Sequence, residues 1–242
     1  MLGNINDEFE EVDLEKINIK NFPELEQFIL NKIYLLDLKF KKNFKNYDFH
    51  NLYKELLKFC TLDLSAFYFD IRKDCLYCDP KDSKQRQQVI IILKIILNAL
   101  LRWFAPILSF TTEEIYRLVC NKNKSIHLEP FVSYPESFTN DNLNKKWSEL
   151  IKIRDLCNHS IEEKRVEKVL GSSLEASIKI RLNKKLYQAF KDIDFAELCI
   201  TSGAEVEVHE KDEIFIETTK AKGTKCPVCW KININPCLRH SS

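Results

Sequence analysis

Glycine is the residue that most limits how this chain can fold, because it is almost absent. Only four glycines occur in 242 residues, and none lies between Gly3 and Gly171. Glycine adopts positive φ at little steric cost, so this long stretch has few positions suited to tight hairpins. Its apolar residues instead recur every three or four positions, as Ile29 and Ile33 do. The sequence therefore predicts long amphipathic helices, packed as a bundle over about residues 21–120.

The longest apolar stretch, residues 89–108, is long enough to raise the question of a membrane span. Lys94, Asn98 and Arg102 recur every four residues and so share one stripe of a helix. Pro106 is expected to end that helix. We interpret the stretch as a buried helix of the bundle with one wet edge, and we expect no membrane partner.

A further helix is expected after Pro106, where the sequence contains the motif of a capped N-terminus. Thr111 as N-cap and Glu114 three residues later form a capping box, and Phe110 is placed to pack against Ile115. This helix should therefore begin directly after Thr111.

Beyond Gly171 the pattern changes from helical to alternating. Ile178, Ile180 and Leu182 alternate with polar residues, as expected for a strand with one buried face. A helix over residues 184–193 is expected between strands. We therefore predict a mainly α fold in three parts. They are a helical bundle with a surface connector in residues 1–138, a helix with a small α+β module in residues 139–222, and a metal-binding cluster in residues 223–242.

Four candidate metal ligands stand in two pairs near the end of the sequence, each pair with two residues between its members. They are Cys226 with Cys229, and Cys237 with His240. Three thiolates and one imidazole at this spacing can complete a tetrahedron around zinc. The alternative is a set of reduced thiols in a loose tail. We favour zinc, one ion per chain, because the segment has too little apolar content to order itself without metal.

Charge and cysteine content limit the setting in which the chain works. The 37 basic and 36 acidic residues leave a formal charge of +1, so a nucleic-acid surface has to come from local clustering. Nine cysteines are an odd number, and no charged and then apolar leader precedes Asn4. We therefore expect a reducing, cytoplasmic location with reduced or metal-bound thiols.

Lysines and aromatic residues are interleaved over residues 39–47, which makes this run the best candidate for a nucleic-acid surface. The candidate phosphate contacts are Lys39, Lys41, Lys42 and Lys45. The amides and aromatic rings beside them can meet unstacked bases. The alternative is an ordinary solvated helix face.

No catalytic residue is predicted. A glycine-rich phosphate loop is excluded by the scarcity of glycine. The histidines outside the terminal cluster each lack a serine, cysteine or carboxylate at a catalytic spacing; they are His50, His127, His159 and His209.

Several runs of the sequence resemble segments of bacterial isoleucyl-tRNA synthetases, in the same order. The run FCTLDLSAFYFDIRKDCLY at residues 59–77 resembles part of the family's helical anticodon-binding domain, and so do residues 2–4 and 105–116. Residues 170–176 are similar to the motif at the start of the family's C-terminal domain, and KCPVCW at residues 225–230 is similar to its terminal zinc ribbon. Valyl and leucyl synthetases share the bundle, but the last two motifs together favour isoleucine.

The resemblance implies a bundle of the anticodon-binding type and a role as the tRNA-recognition part of isoleucine–tRNA ligase, gripping the anticodon stem and loop of isoleucine tRNA. The family's His-x-Gly-His and Lys-Met-Ser-Lys-Ser signatures are missing from the sequence. ATP and Mg²⁺ would then belong to a catalytic domain outside this chain, and the chain alone is expected to be inactive. Leu64, Phe67 and Tyr68 are expected to pack helices and not to read bases.

One departure and three alternatives accompany this interpretation. His240 stands where the family usually has a cysteine, and only seven residues separate the two ligand pairs. The chain is alternatively the matching part of a valyl or leucyl synthetase, or a free-standing zinc-containing protein that binds RNA or another partner. A third alternative is a subunit of a split synthetase that works with a separate catalytic chain.

Overall fold

A computed structural model of the chain describes residues 2–5, 11–120 and 124–240. The chain divides into two compact units, residues 1–141 and 142–242. The first unit is helical, and the second combines a long helix with a small sheet and the cysteine-rich segment. The prediction of a mainly α fold, with a helical bundle, a small α+β module and a C-terminal cysteine and histidine cluster, is confirmed.

The helices of the first unit follow one another with short links, as the lack of glycine predicts. In chain order they are α1 (Glu24–Lys45), α2 (Phe49–Lys58), a π-helical segment (Phe59–Phe69), α3 (Asp70–Cys78), α4 (Lys84–Phe104) and α5 (Ser109–Cys120). The helix α2, the π-helical segment and α3 form one unbroken run of helical backbone. Leu64, Phe67 and Tyr68 of the π-helical segment are buried, which confirms that they pack helices.

A buried ion pair joins α1 to α3. The Arg72 guanidinium donates to both carboxylate oxygens of Glu26, with Nε···Oε1 at 2.6 Å and Nη2···Oε2 at 2.7 Å. The Tyr68 hydroxyl also donates to Glu26, at 3.2 Å. All three side chains are almost fully buried. Because the two charges are paired through two parallel hydrogen bonds, the desolvation penalty of burying them is largely offset.

The apolar helix α4 lies in the core of the first unit, and its predicted wet edge holds only at Lys94, which is half-buried. Asn98 and Arg102 are buried. Both donate to a carboxylate oxygen of Glu11, at 2.8 and 2.9 Å, and Arg102 also donates to the carbonyl of Pro130 at 2.9 Å. The part of the polar stripe formed by Asn98 and Arg102 is therefore covered by distant parts of the chain, and the prediction was wrong for these two residues. Within the described residues α4 is the one helix long and apolar enough to cross a membrane. Of its most apolar stretch of 18 residues, 56% is buried inside the protein.

The helix α5 begins earlier than its capping box predicts. It starts at Ser109, so Thr111 lies inside the first turn and is not the N-cap. The Phe110 ring is 93% exposed and makes no apolar staple. The helix begins sooner because the Thr112 amide donates to the carbonyl of Leu108, which lies only two residues after Pro106.

The second unit has a three-stranded mixed sheet. In chain order, the helices and strands up to the end of this sheet are α6 (Asp141–Val166), β1 (Ala176–Asn183), α7 (Lys184–Phe190), α8 (Phe195–Leu198), β2 (Gly203–His209) and β3 (Phe215–Lys220). The central strand β1 pairs parallel to β2 and antiparallel to β3. Its alternate residues Ile178, Ile180 and Leu182 are buried, which confirms the alternation predicted from the sequence.

The other face of the sheet carries charges that neutralise one another. Lys179 lies 2.8 Å from Glu207, and Arg181 lies 3.5 Å from Glu207 and 3.4 Å from Glu217. These cations are already paired with carboxylates. This face is therefore a poor surface for phosphates.

Candidate metal centre and nucleic-acid interface

The first pair of candidate ligands sits at the end of a short hairpin. Its strands are β4 (Thr224–Lys225) and β5 (Ile232–Asn233), which pair antiparallel. Gly223 precedes β4 with φ of 127°, and a Cβ atom there would lie 2.1 Å from the carbonyl oxygen of Asn233. A side chain at this position would therefore break the hairpin. One of the few glycines in the sequence is needed here to bring the strands together.

The turn between the strands wraps around the first thiol. The Trp230 amide donates to the Cys226 carbonyl at 3.0 Å, and the Cys226 amide donates to the Lys231 carbonyl at 2.9 Å. Backbone N–H groups of Cys229 and Val228 point at the Cys226 sulfur and lower the pKa of that thiol to about 6. Burial raises the pKa of the Cys229 thiol to about 11. These two N–H groups favour a thiolate at Cys226, and the thiolate is the form of cysteine that binds metals.

The second pair closes the group. His240 folds back over Cys237, with its amide donating to the Cys237 carbonyl at 3.0 Å. The His240 Nδ1 atom lies 3.5 Å from the Cys226 sulfur and 3.5 Å from the Cys237 sulfur. The Cys229 and Cys237 sulfurs are 3.9 Å apart. All four ligand atoms lie within 4.8 Å of one another, so the structure brings together the four residues predicted from the sequence.

These separations match the edges of a metal-binding tetrahedron. Zinc bonds of about 2.3 Å to sulfur and about 2.0 Å to nitrogen give sulfur–sulfur edges of about 3.8 Å and sulfur–nitrogen edges of about 3.5 Å. The observed values are 3.9 Å and 3.5 Å. The residues therefore fit a single metal ion, and their three sulfurs and one imidazole suit a soft or borderline ion.

The cluster is tied to the sheet of the second unit through one hydroxyl group. Ser202 Oγ accepts a hydrogen bond from the Ile232 amide at 2.7 Å and donates to the Leu174 carbonyl. The hairpin is therefore anchored on the chain segment just before β2. On the outside of the hairpin, the Lys225 ammonium lies 5.6 Å from the centre of the half-exposed Trp230 ring.

The four candidate phosphate-binding lysines lie near the end of α1, but their surroundings differ. Lys39 is exposed and pairs with Glu55 at 3.1 Å. Lys41 is only 39% exposed, pairs with Asp37 at 2.7 Å and donates to the Val132 carbonyl at 2.9 Å.

Lys42 and Lys45 complete the set of four. Both lie on the last turn of α1, where their side chains reach solvent. Within the described residues neither of them makes an ion pair. They are therefore the two of the four whose charge is available to a ligand.

Asp37 is a residue that sequence reasoning missed. It is buried, and besides pairing with Lys41 it accepts a hydrogen bond from the Trp103 indole at 3.2 Å. Its place on the apolar side of α1, four residues before a lysine, is a signal that could have shown that Lys41 faces inward.

Comparison with known sequences settles the family. The sequence profile of the anticodon-binding domain of tRNA ligase matches residues 26–180. The chain belongs to this family. It is 61% identical over 241 residues to an isoleucine–tRNA ligase of Pelagibacter ubique, covering 100% of this chain and 27% of the relative. It is 35% identical over 229 residues to the isoleucine–tRNA ligase of Agrobacterium fabrum and 37% identical over 228 residues to that of Bartonella quintana, covering 90% of this chain and 24% of each relative.

These matches confirm the resemblance to isoleucyl-tRNA synthetases. The anticodon-binding match begins in α1 and ends in β1, so it includes most of the bundle and all of α6. The chain spans about a quarter of the length of the curated relatives, at 27% and 24%. The alignment with the Pelagibacter ubique relative covers the whole chain and therefore includes the metal cluster.

Proposed function

We propose that this chain is the tRNA-recognition part of an isoleucine–tRNA ligase and that it binds the anticodon stem and loop of isoleucine tRNA. The observation that carries the proposal is the anticodon-binding match over residues 26–180, in a chain 61% identical to an isoleucine–tRNA ligase. The names of the relatives favour isoleucine over valine or leucine. Cytoplasmic location follows, because the thiols of the cluster must stay reduced to bind metal.

The chemical step belongs to the part of the enzyme outside this chain. The chain corresponds to about a quarter of each relative, at 27% and 24%. With four glycines in all it has no glycine-rich loop to hold the phosphates of ATP. Binding of ATP and Mg²⁺ and attachment of isoleucine are assigned to the remaining three quarters. That part lies on the same polypeptide or, in a split synthetase, on a separate catalytic chain.

The last turn of α1 is the proposed site of phosphate contact. Lys42 and Lys45 reach solvent there, and Lys39 lies one turn earlier. Lys39 and Lys41 contribute less to RNA binding than the other two lysines. The Lys39 ammonium already pairs with Glu55, and the Lys41 ammonium already bonds to Asp37 and the Val132 carbonyl. The cations of the sheet face are neutralised by glutamates, so the positive surface of the first unit is the better binding surface for RNA.

The cluster of Cys226, Cys229, Cys237 and His240 holds one Zn²⁺ ion per chain in this proposal. The support is the spacing of the four ligand atoms, all within 4.8 Å of one another. The ion would have a structural role, because four protein ligands leave no open position for substrate. It would fix the β4–β5 hairpin on the second unit.

Binding of tRNA to the isolated chain tests the proposal. Isoleucine tRNA and one unrelated tRNA are compared by filter binding across a series of salt concentrations. We expect measurable affinity for isoleucine tRNA that falls steeply with salt, since phosphate contacts release counterions. Replacing Lys42 and Lys45 by Ala should reduce the slope of log K against log salt by about 0.7–0.9 for each phosphate that is no longer neutralised. The double replacement should lower the affinity for both tRNAs equally, because phosphate contacts carry no sequence information.

A matched control removes the same charge elsewhere. Lys185 and Lys191 are exposed lysines of the second unit, and replacing both by Ala should leave the slope unchanged. Equal affinity of the unmodified chain for both tRNAs would support the free-standing RNA-binding alternative. An unchanged slope in the Lys42→Ala, Lys45→Ala variant would remove this face from the interface.

A further inference from the structure

The helix α1 ends in a backbone conformation that its sequence does not suit. The Asp48 amide donates to the Asn43 carbonyl at 2.9 Å, and the Tyr47 amide donates to the Phe44 carbonyl at 3.1 Å. These two bonds form a Schellman motif, whose left-handed position is usually occupied by glycine. Here the position is occupied by Tyr47, with φ of 56°. Lys168 and Ile200 hold the same position at the ends of α6 and α8, with φ of 60° and 57°, so this glycine-poor chain ends other helices in the same way and the conformation alone does not mark a site.

The Tyr47 side chain gains little packing from this position, because most of it lies in solvent. It is 83% exposed. A glycine or asparagine would end the helix equally well without placing an aromatic ring in water. What distinguishes this helix end is therefore a large aromatic ring that lies mostly in water.

A line of aromatic rings connects Tyr47 to the core. The centre of the Tyr47 ring lies 6.3 Å from that of Phe49, which lies 6.0 Å from Phe44. Phe44 stacks on the buried Phe40 at 5.8 Å, and Phe40 lies 6.1 Å from the buried Trp103. Edge and stacked contacts of this kind hold rings in fixed orientations. The exposed ring thus makes an edge contact with a line of rings that is anchored in the core.

The groups around the ring indicate what would stack there. Lys42 and Lys45 lie on the preceding turn of the helix, and Asn46 and His50 flank the ring in the sequence; the side chains of all four reach solvent. Phe49 beside the ring is also half-exposed, at 46%, but the exposed lysines favour an anionic ligand over a protein partner, since lysine is depleted at protein–protein interfaces. A flat aromatic face beside free ammonium groups is the arrangement that binds an unstacked base and its phosphates.

We infer that Tyr47 is a stacking site for an unpaired base of the bound tRNA. The inference rests on the proposed function, because it takes the ligand of this surface to be tRNA. It adds a contact with a base to the phosphate contacts of Lys42 and Lys45. Because every base has an aromatic face, the contact adds affinity without by itself selecting the base.

Four variants separate stacking from folding. Tyr47→Gly removes the ring and relieves the left-handed strain, so its Tm should equal or exceed that of the unmodified chain. Its affinity for isoleucine tRNA should nevertheless fall by about 5- to 150-fold, the range measured for removal of one base–aromatic stack. Tyr47→Leu should weaken binding by a similar factor, whereas Tyr47→Phe should keep its affinity. Tyr77→Leu is the matched control, because Tyr77 is 71% exposed and lies at the end of α3; its affinity should not change.

A fluorescent base reports the stack directly. Isoleucine tRNA carrying 2-aminopurine at single positions of the anticodon loop should lose fluorescence at one position on binding. That quenching should persist with Tyr47→Phe and disappear with Tyr47→Gly and Tyr47→Leu.

Failure of this inference can be distinguished from failure of the proposed function. If the unmodified chain binds isoleucine tRNA and all Tyr47 variants bind equally well, only the stacking site is refuted. If Tyr47→Gly weakens binding but is also less stable than the unmodified chain, the ring has a structural role and the inference is wrong. If the unmodified chain binds no tRNA, both proposals are wrong.

Discussion

Replacing Glu26 by Gln is expected to destabilise the first unit by about 3–5 kcal/mol, the usual cost of removing one partner of a buried ion pair. The Glu26 carboxylate accepts bonds from Arg72 at 2.6 and 2.7 Å and from Tyr68 at 3.2 Å. A glutamine amide keeps one oxygen acceptor and turns the other side into a donor that faces an Arg72 N–H group. The buried Arg72 charge then loses the carboxylate that accepts both of these hydrogen bonds. Since domains are stable by only about 5–15 kcal/mol, this cost is a large part of the total.

Urea unfolding followed by helical circular dichroism measures the destabilisation by linear extrapolation. Hydrogen exchange of the α1 amides assigns it to the first unit. Asp63→Asn is the matched control, because the Lys32–Asp63 pair is short at 2.6 Å but both side chains are partly exposed. That change should cost less than about 1 kcal/mol. The double variant Glu26→Gln, Arg72→Met should be destabilised by less than the sum of its single changes, because it removes both charges of the buried pair. A cost below about 1 kcal/mol for Glu26→Gln alone would refute this account of the core.

Three further predictions concern the metal cluster and catalysis. Elemental analysis of protein purified without chelators should find one zinc per chain, and a Cys226→Ser, Cys229→Ser variant should retain none; retention would place the ligands elsewhere. Gly223→Ala should weaken zinc retention in a competition with a chelator, since its Cβ would lie 2.1 Å from a carbonyl oxygen, whereas Gly3→Ala, with nothing within 4 Å, should not. The isolated chain should give no isoleucine-dependent pyrophosphate exchange, and robust exchange free of full-length enzyme would contradict the assignment of catalysis to another part.

Features set by neighbouring residues could be predicted from the sequence. The bundle follows from the lack of glycine and the apolar period, and both signals extend over many residues. The metal group follows from ligands that all lie between Cys226 and His240, so that one hairpin and one turn bring them together. The strand β1 follows from its alternation, because one face of the sheet is covered.

Features set by distant partners could not be predicted. The polar stripe of α4 reads as a wet edge, but the partner of Asn98 is Glu11, 87 residues earlier in the sequence. In the sequence pattern Lys41 and Lys42 are equivalent. They differ in the structure because the carbonyl of Val132, 91 residues away, accepts a hydrogen bond from Lys41. The capping box around Thr111 is a valid local signal, but the Thr112 amide finds the carbonyl of Leu108 and the helix starts earlier.

The helix α1 connects the core of the first unit to the surface proposed to bind RNA. Near its start, Glu26 fixes the helix to α3 through Arg72. Further along, Asp37 joins it to α4 through the Trp103 indole, at 3.2 Å. Both contacts are buried, so the last turn, with Lys45 and the residues beside it, projects from a helix that is held at two points. Removal of the Glu26 carboxylate should therefore weaken RNA binding only through unfolding. At temperatures where the variant remains folded, its affinity for tRNA should match that of the unmodified chain, because none of the proposed RNA contacts lies in the first two turns of the helix.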